Sequence, residues 1–465
     1  MESKLLRPLS QAVALALIAG GAHAAAITVT DAGDGNSGGT CTLRQAIDSA
    51  NNDSTSGNCT PGNGADTIAF ASGLANSTIT LTQGQLVVAS DLTLTGSGQT
   101  IVADANSRVM QIDNTNSVYN VTLTDVTLTG GNYAGPGAGL SIGDSSGPTQ
   151  PSKTQRNNPA APAAGPGVTL NQVTINNNTS NVEAGGLFID NATVALNQST
   201  VSGNTLNATS NYGAGGIYIT NGSTVTITDS TVSGNHATGD YKLLSGGIYS
   251  WISSLTITNS TISGNSANGN NDVAGGLLTN GGYATLYDST VSGNTTNTAN
   301  VAAGGMLIGK YRATPLTLFN TILSGNTGTQ ADMGVYSGSN VIAQSNLLGS
   351  ALSATFSGNG NVFSDAPGLG ALTNNGGPTL TMKPQPGSPT LGAGNVALIP
   401  GGVTTDQRGV SFARVVNGAL DIGSVEAAAG PTAVVTPTPA LSRWALLALG
   451  GLLALFGLRR RRRTS

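Results

Sequence analysis

The stretch STVTITDSTVSGN, residues 223–235, returns as SSLTITNSTISGN at 253–265 and as GYATLYDSTVSGN at 282–294, and that return decides the fold. In the first copy Val225 and Ile227 alternate with threonines, so the apolar side chains fall on one face of a strand. Ser233-Gly234-Asn235 then reads as a turn. Working outward, the turn glycine recurs as Gly203, Gly234, Gly264, Gly293 and Gly325, at intervals of 31, 30, 29 and 32. A second column keeps phase with it: Gly185-Gly186-Leu187, Gly215-Gly216-Ile217, Gly246-Gly247-Ile248, Gly275-Gly276-Leu277 and Gly304-Gly305-Met306. Each unit reads as three short strands joined by turns, too small to bury its own apolar face. Stacking the units gives them one continuous core. The expected fold is all-β, a right-handed parallel β-helix (solenoid) with one coil per repeat. Coils rise by about 4.8 Å, so roughly ten of them make a rod on the order of 50 Å long.

Two polar columns run through the repeats. Asn204, Asn235, Asn265, Asn294 and Asn326 follow the turn glycines; Asn there tolerates left-handed backbone and can hydrogen-bond its stacked neighbour, which reads as a structural ladder rather than a ligand site. The second register is Gln198, Asp229, Asn259, Asp288 and Asn320. Asp229 and Asp288 lie two coils apart in it, about 10 Å, near the roughly 6.5 to 9.5 Å of an inverting glycosidase pair. No catalytic residue is expected: the preferred reading is a polar column in which Asn keeps carboxylates apart, with Asp229 and Asp288 the candidates if the column is catalytic. His236 is the one histidine after the leader, and sits in a Gly-Asn-His-Ala turn, so no histidine metal site or Ser/His/Asp triad is expected. Asp31 and Asp34 match no oxygen cage for calcium and read as part of a Gly-rich turn. No metal and no cofactor is expected.

Charge narrows the partners. The chain has 18 basic and 22 acidic residues, with 66 Gly and only 9% charged residues. Setting aside Glu2, Lys4 and Arg7 of the leader and six arginines of the tail (Arg443 and Arg459 to Arg463) leaves 10 basic against 21 acidic. A body that acidic lacks the footprint for phosphate backbones, so no nucleic-acid partner is expected.

The ends carry address labels. Lys4 and Arg7, the apolar stretch from Ala12 to Gly21 and Ala22-His23-Ala24 form a secretory signal peptide over 1–25, to be cut by signal peptidase. In the oxidising compartment beyond, Cys41 and Cys59, the two cysteines of the chain, are most simply one disulfide; a zinc site lacks its other ligands and a free thiol is the remaining alternative. At the other end a Pro/Thr-rich linker, 428–438, leads to Pro439, Leu441, Ser442 and Trp444, then to an apolar stretch from Ala445 to Leu458 and to Arg459, Arg460, Arg461, Arg462 and Arg463. Residues 439–465 are just long enough for a transmembrane helix with its arginines on the cytoplasmic side. They resemble the IPTL-CTERM sorting tails of Gram-negative bacteria. That resemblance implies cleavage by an exosortase-like membrane peptidase and transfer to the cell surface; a plain membrane anchor is the alternative.

Two further resemblances frame the coils. Cys41-Thr42-Leu43-Arg44-Gln45-Ala46-Ile47, with Ala50-Asn51 and Asp66-Thr67-Ile68-Ala69-Phe70, resembles the CSLREA module of bacterial surface β-helices, and Leu43, Ile47 and Ala50 share a helix face suited to capping the first coil. Leu369 to Thr379, Gly387-Ser388-Pro389, Asp406-Gln407-Arg408-Gly409 and Asp421 to Glu426 resemble the choice-of-anchor Q module, with Gly392 where that pattern has Asp. The expected domains are thus the signal peptide (1–25), the cap (26–75), β-helix repeats (76–345), the choice-of-anchor Q-like module (346–427), the linker and the sorting signal. Residues 143–167 read as a loop inserted from one coil, a place where solenoids bind.

The function expected is an exported, surface-displayed, non-enzymatic rod, structural or adhesin-like, with an extracellular glycan or surface ligand as possible partner. The alternatives are a polysaccharide-active β-helix enzyme, lyase or glycoside hydrolase, and an autotransporter passenger, against which no barrel-forming alternation follows residue 350.

Overall fold

The computed structural model describes residues 24–35, 38–113, 118–143, 165–210, 212–240, 243–297, 302–309, 315–335, 340–349 and 356–427. The linker, sorting motif and transmembrane helix expected at 428–465 lie outside the described residues, as does the signal peptide but for its last two positions. The described residues form one compact unit.

Its body is a parallel β-solenoid. One column stacks Asp66–Phe70, the start of Leu92–Val102, the start of Asn120–Thr129, Gly167–Asn171, Thr193–Asn197 and Thr224–Thr228, and runs on to Val341–Gln344, every pairing parallel. The register puts like on like. Val168, Val194, Val225, Leu255 and Ala284 lie one above another, as do Leu170, Leu196, Ile227, Ile257 and Leu286, and all are buried. Burying each larger member is worth about 1.5 to 3 kcal/mol, which is why a Thr-x-Thr alternation so poor in charge folds at all.

The coil is larger than expected. Instead of three strands, a complete coil has five: Leu187–Asp190, Thr193–Asn197, Thr200–Ser202, Thr205–Asn207 and Tyr212–Ala214. The fourth and fifth stack into separate sheets of six and five strands and form a wing beside the main rod. Leu206, Ala237 and Ala267 of the fourth pack on Leu244, Val273 and Ala302 of the fifth. On its other side the fifth strand packs Ala184, Ala214, Ala274 and Ala303 against an outward-facing row on the first strand. There Phe188, Tyr218 and Tyr249 form a stack with ring centroids 5.8 and 5.0 Å apart. These wing strands are only two to four residues long, too short for alternation to be read.

The two glycine columns have different causes. Gly234 takes φ +62°, a left-handed turn, and so do its counterparts. Gly216 has no such φ; a Cβ there would lie 2.6 Å from the Gly247 carbonyl oxygen and 3.0 Å from Asn235 Nδ2, so close approach of the backbones excludes any side chain.

At the start, helix Leu43–Asn52 closes the first coil with Leu43, Ala46, Ile47 and Ala50 buried. Thr42 and Gln45 form its capping box, the Gln45 backbone N donating to Thr42 Oγ1 (3.4 Å) and the Thr42 backbone N to Gln45 Oε1 (3.0 Å). Cys41 and Cys59 are joined as a disulfide, Cα atoms 4.8 Å apart. At the far end the coils run on to Val362–Phe363, and residues 366–427 then return along the rod as a strap of turns and isolated bridges.

Candidate functional site

The Asn column is an inward ladder. The glycines, not the asparagines, hold the left-handed backbone, φ 62° to 77°, and turn the following Asn into the core. Each side-chain nitrogen donates to the next coil's Oδ1 at 2.9 Å, from Asn178 through Asn204, Asn235, Asn265 and Asn294 to Asn326. Each also donates to a strand carbonyl, as Asn265 does to Val232 O at 2.9 Å. Asn326 ends the run on Asp332 Oδ1, an acceptor with nothing to donate when ionised. A serine column runs beside it: Ser199, Ser230 and Ser260 each donate a backbone N–H to the next hydroxyl, at 3.0, 3.1 and 3.3 Å.

Gln198, Asp229, Asn259, Asp288 and Asn320 occupy the corner between the second and third strands, all left-handed with φ 47° to 51°. Short polar side chains tolerate that conformation, which accounts for their recurrence without any chemistry. Asp229 and Asp288 are not brought together. Asn259 stands on the coil between them, its Nδ2 donating to Asp229 Oδ1 (3.2 Å), while Asn320 Nδ2 donates to Asp288 Oδ1 (3.1 Å).

The strap covers this corner. Thr379 Oγ1 donates to Asp229 O (3.2 Å), Asn259 Nδ2 donates to Thr405 O (2.7 Å), and Asn320 exchanges hydrogen bonds with Asn395 at 3.1 and 2.8 Å. Gln407 of the Asp-Gln-Arg-Gly motif is fully buried. Its amide nitrogen donates to Ser230 O (3.1 Å) and Thr231 Oγ1 (2.9 Å), and its oxygen accepts from Thr261 Oγ1 (2.6 Å). Arg414, 1% exposed, brings a cation within 3.8 Å of Asp288 Oδ1 and 3.1 Å of Glu426 Oε1. Arg408 pairs with Asp406 at 2.6 Å and lies over the Phe412 ring. Gly392, where the resemblance has Asp, takes φ +62° and donates its N–H to Asp421 Oδ1 (2.7 Å).

Burial sets the electrostatics. It pushes the Asp229 carboxyl up to about 6, with the Asn259 hydrogen bond opposing and the Asp406 charge adding. Burial raises Asp288 too, against the pull of Arg414 and Asn320. The sequence offered Asp229 and Asp288 but not Arg414, which lies 126 positions beyond Asp288 and carries no repeat signature. His236 is in a strand rather than a turn, its Nδ1 2.8 Å from Ser266 Oγ. Asp34 is held by Arg44 of the Cys-x-Leu-Arg motif at 2.8 Å. Among the described residues no group of three or more His, Cys, Asp or Glu is placed to hold a metal.

Comparison with known proteins assigns the tail. Residues 436–463 match the IPTL-CTERM motif, a sorting signal of exported, surface-associated proteins. No curated protein matches the chain. Among solved structures the chain is similar to pectate lyase Pel9A, at 15% identity over 87% of this chain and 97% of that one, with a TM-score of 0.41. A likeness at that level is not carried into the chemistry of this chain.

Proposed function

We propose that this protein is a surface-displayed, non-enzymatic β-helix rod, structural or adhesin-like, of the CSLREA and choice-of-anchor Q kind. The observation that carries it is the sorting motif at 436–463 following a solenoid body. In this reading signal peptidase removes 1–25, the helix at 439–465 holds an inner-membrane precursor with Arg459 to Arg463 in the cytoplasm, and an exosortase-like peptidase cuts near Pro439 and releases the body to the surface. The coil is right-handed, as parallel crossovers nearly always are. A non-enzymatic role is supported by the strap, which places Thr379 and Thr405 over Asp229 and Asn259 and leaves Asp288 buried with Arg414.

Intact mass of the protein from membrane and surface-shed fractions tests the route. Loss of both end segments is expected, and deletion of Arg459 to Arg463 abolishes the shed form; a tail retained in the wild-type membrane form overturns it. Release of reducing or unsaturated ends from pectin, xylan or chitin, lost in Asp229→Asn or Asp288→Asn, overturns the non-enzymatic part.

A further inference from the structure

The wing carries two clefts on one side. One, about 340 Å³, is lined by Asn106, Asn132, Tyr133, Asn181 and Asn207, with Thr179 and Ser180. The other, about 420 Å³, lies further along, at Thr209, Thr238, Asp240, Asn268 and Asn270. The strand register joins them: Ser180 pairs with Leu206, so Asn181 stands beside Asn207, which pairs with Thr238 and that with Asn268. Amides and hydroxyls therefore line a path parallel to the rod, one per coil, at about 4.8 Å intervals.

Tyr133 gives the first cleft a built floor. It sits on the first rung of the fourth-strand sheet, half-buried, and lines the cleft. Arg108 lies against one face of the ring, its guanidinium carbon 4.5 Å from the ring centroid. That arginine is 1% exposed and pinned: Nε and Nη2 donate to Pro136 O (3.1 and 2.6 Å), Nη1 to Gln85 Oε1 (3.0 Å) and Gln111 Oε1 (2.9 Å). The ring is fixed before anything binds, which lowers the ordering cost of a ligand. Asn181 Oδ1, in the same wall, is buried without a hydrogen-bond partner.

Each amide both donates and accepts, the pattern that meets a hydroxyl or acetamido group, and an aromatic ring takes the apolar face of a sugar. Among the described residues no Lys or Arg lines either cleft, and Asp240 is the one charged side chain that does. We propose that this path is a binding site for an uncharged, extended oligosaccharide lying along the rod, with one sugar on Tyr133 and its neighbours hydrogen-bonded to the Asn207 column. The inference deepens the adhesin-like reading and rests on it.

The test is retention of the full-length protein, displayed on cells and separately extracted in detergent, on immobilised hexasaccharides of β-1,4-linked glucose, N-acetylglucosamine and mannose, with polygalacturonate and heparin as charged controls. Retention on at least one neutral hexasaccharide is expected. Tyr133→Ala should weaken it about tenfold and Tyr133→Phe by much less, since the ring supplies the contact. Asn207 is exposed, so Asn207→Ala keeps the fold, and it should weaken retention about threefold to tenfold. Binding to the charged polymers alone, no binding to any neutral hexasaccharide, or parental binding by both alanine variants overturns the proposal. Failure of the surface reading is separate: the extracted protein then binds while intact cells do not.

Discussion

Replacing Asn265 by alanine removes four hydrogen bonds at the centre of the ladder. Two are donated by Nδ2, to Asn294 Oδ1 and Val232 O, both 2.9 Å. Two are accepted by Oδ1, from the Asn235 backbone N (3.1 Å) and Asn235 Nδ2 (2.9 Å). The losses are unequal. Asn235 Nδ2 keeps Val201 O, and Asn294 Oδ1 keeps the Asn265 backbone N–H, but the Asn235 N–H has no second acceptor in the ladder. One orphaned buried N–H costs about 1 to 3 kcal/mol and each of the three further lost bonds about 0.5 to 1.5, so a loss of about 2.5 to 7.5 kcal/mol is expected. Neighbouring coils stabilise one another, so the assay should be local as well as global: urea unfolding together with hydrogen exchange of peptides covering 231–267. Asn268→Ala, on an exposed position of the same coil, is the control and should lie within about 0.5 kcal/mol of the parent. Asn265→Asp adds a signature: ionised, it faces the Asn294 oxygen with no proton to donate, whereas protonated it recovers one donor, so acid should rescue it and not the alanine. A loss below about 1 kcal/mol for alanine, or no acid rescue of the aspartate, would refute the ladder as a source of stability.

Three further outcomes are expected. Burial, with the Asp190 charge adding, pushes Glu183 up to about 8 from 4.5, so between those values the folded chain holds a proton the unfolded chain has lost; stability therefore falls as pH rises through that window, by at most about 5 kcal/mol, and Glu183→Gln should flatten the slope in urea midpoints from pH 5 to 8.5. Reducing Cys41–Cys59 opens a short loop in the cap and should cost about 3 kcal/mol, read as faster exchange in Leu43–Asn52 with the later coils unaffected. Gln407→Ala removes the bonds to Ser230 O, Thr231 Oγ1 and Thr261 Oγ1, leaving Thr261 Oγ1 with Ser424 Oγ (3.0 Å), and should raise exchange across 366–427 by about tenfold or more while leaving Val225 and Ile257 protected; equal exchange in parent and variant would show that Gln407 does not hold the strap.

The coil was legible in the residues because its period is written twice, once in the turn glycines, whose left-handed backbone favours Gly, and once in the Gly-Gly pairs, where the stacked backbones leave no room for a side chain. The apolar alternation at Val225 and Ile227 marked the main strands for the same reason. The wing was not legible: Leu206 and Ala237 are single apolar residues in strands too short to show a period. Neither was the cover over Asp229 and Asp288. A corner residue such as Asn259 reads the same whether water or Thr405 lies above it, and the partner stands 146 positions away in a segment without repeats. The corner register was visible, but its left-handed backbone, rather than shared chemistry, is what the recurring Asp and Asn have in common.

The strap also orders events in folding. Neighbouring coils are linked by contacts 26 to 32 positions apart, as along the Asn ladder from Asn178 to Asn326, so a chain emerging from its N-terminus can lay down each coil as soon as the next thirty or so residues arrive. The strap closes loops of a different length, 146 positions from Thr261 to Gln407 and 177 from Ser230, and its targets are spread over coils from Ser230 to Asn320. Loop closure of that span is slow relative to coil addition, and it has no surface to land on until those coils are stacked. Docking of 366–427 therefore reports that the rod beneath it is complete and in register: a slipped coil would carry Thr231 and Thr261 out of reach of the one buried glutamine that bonds them both.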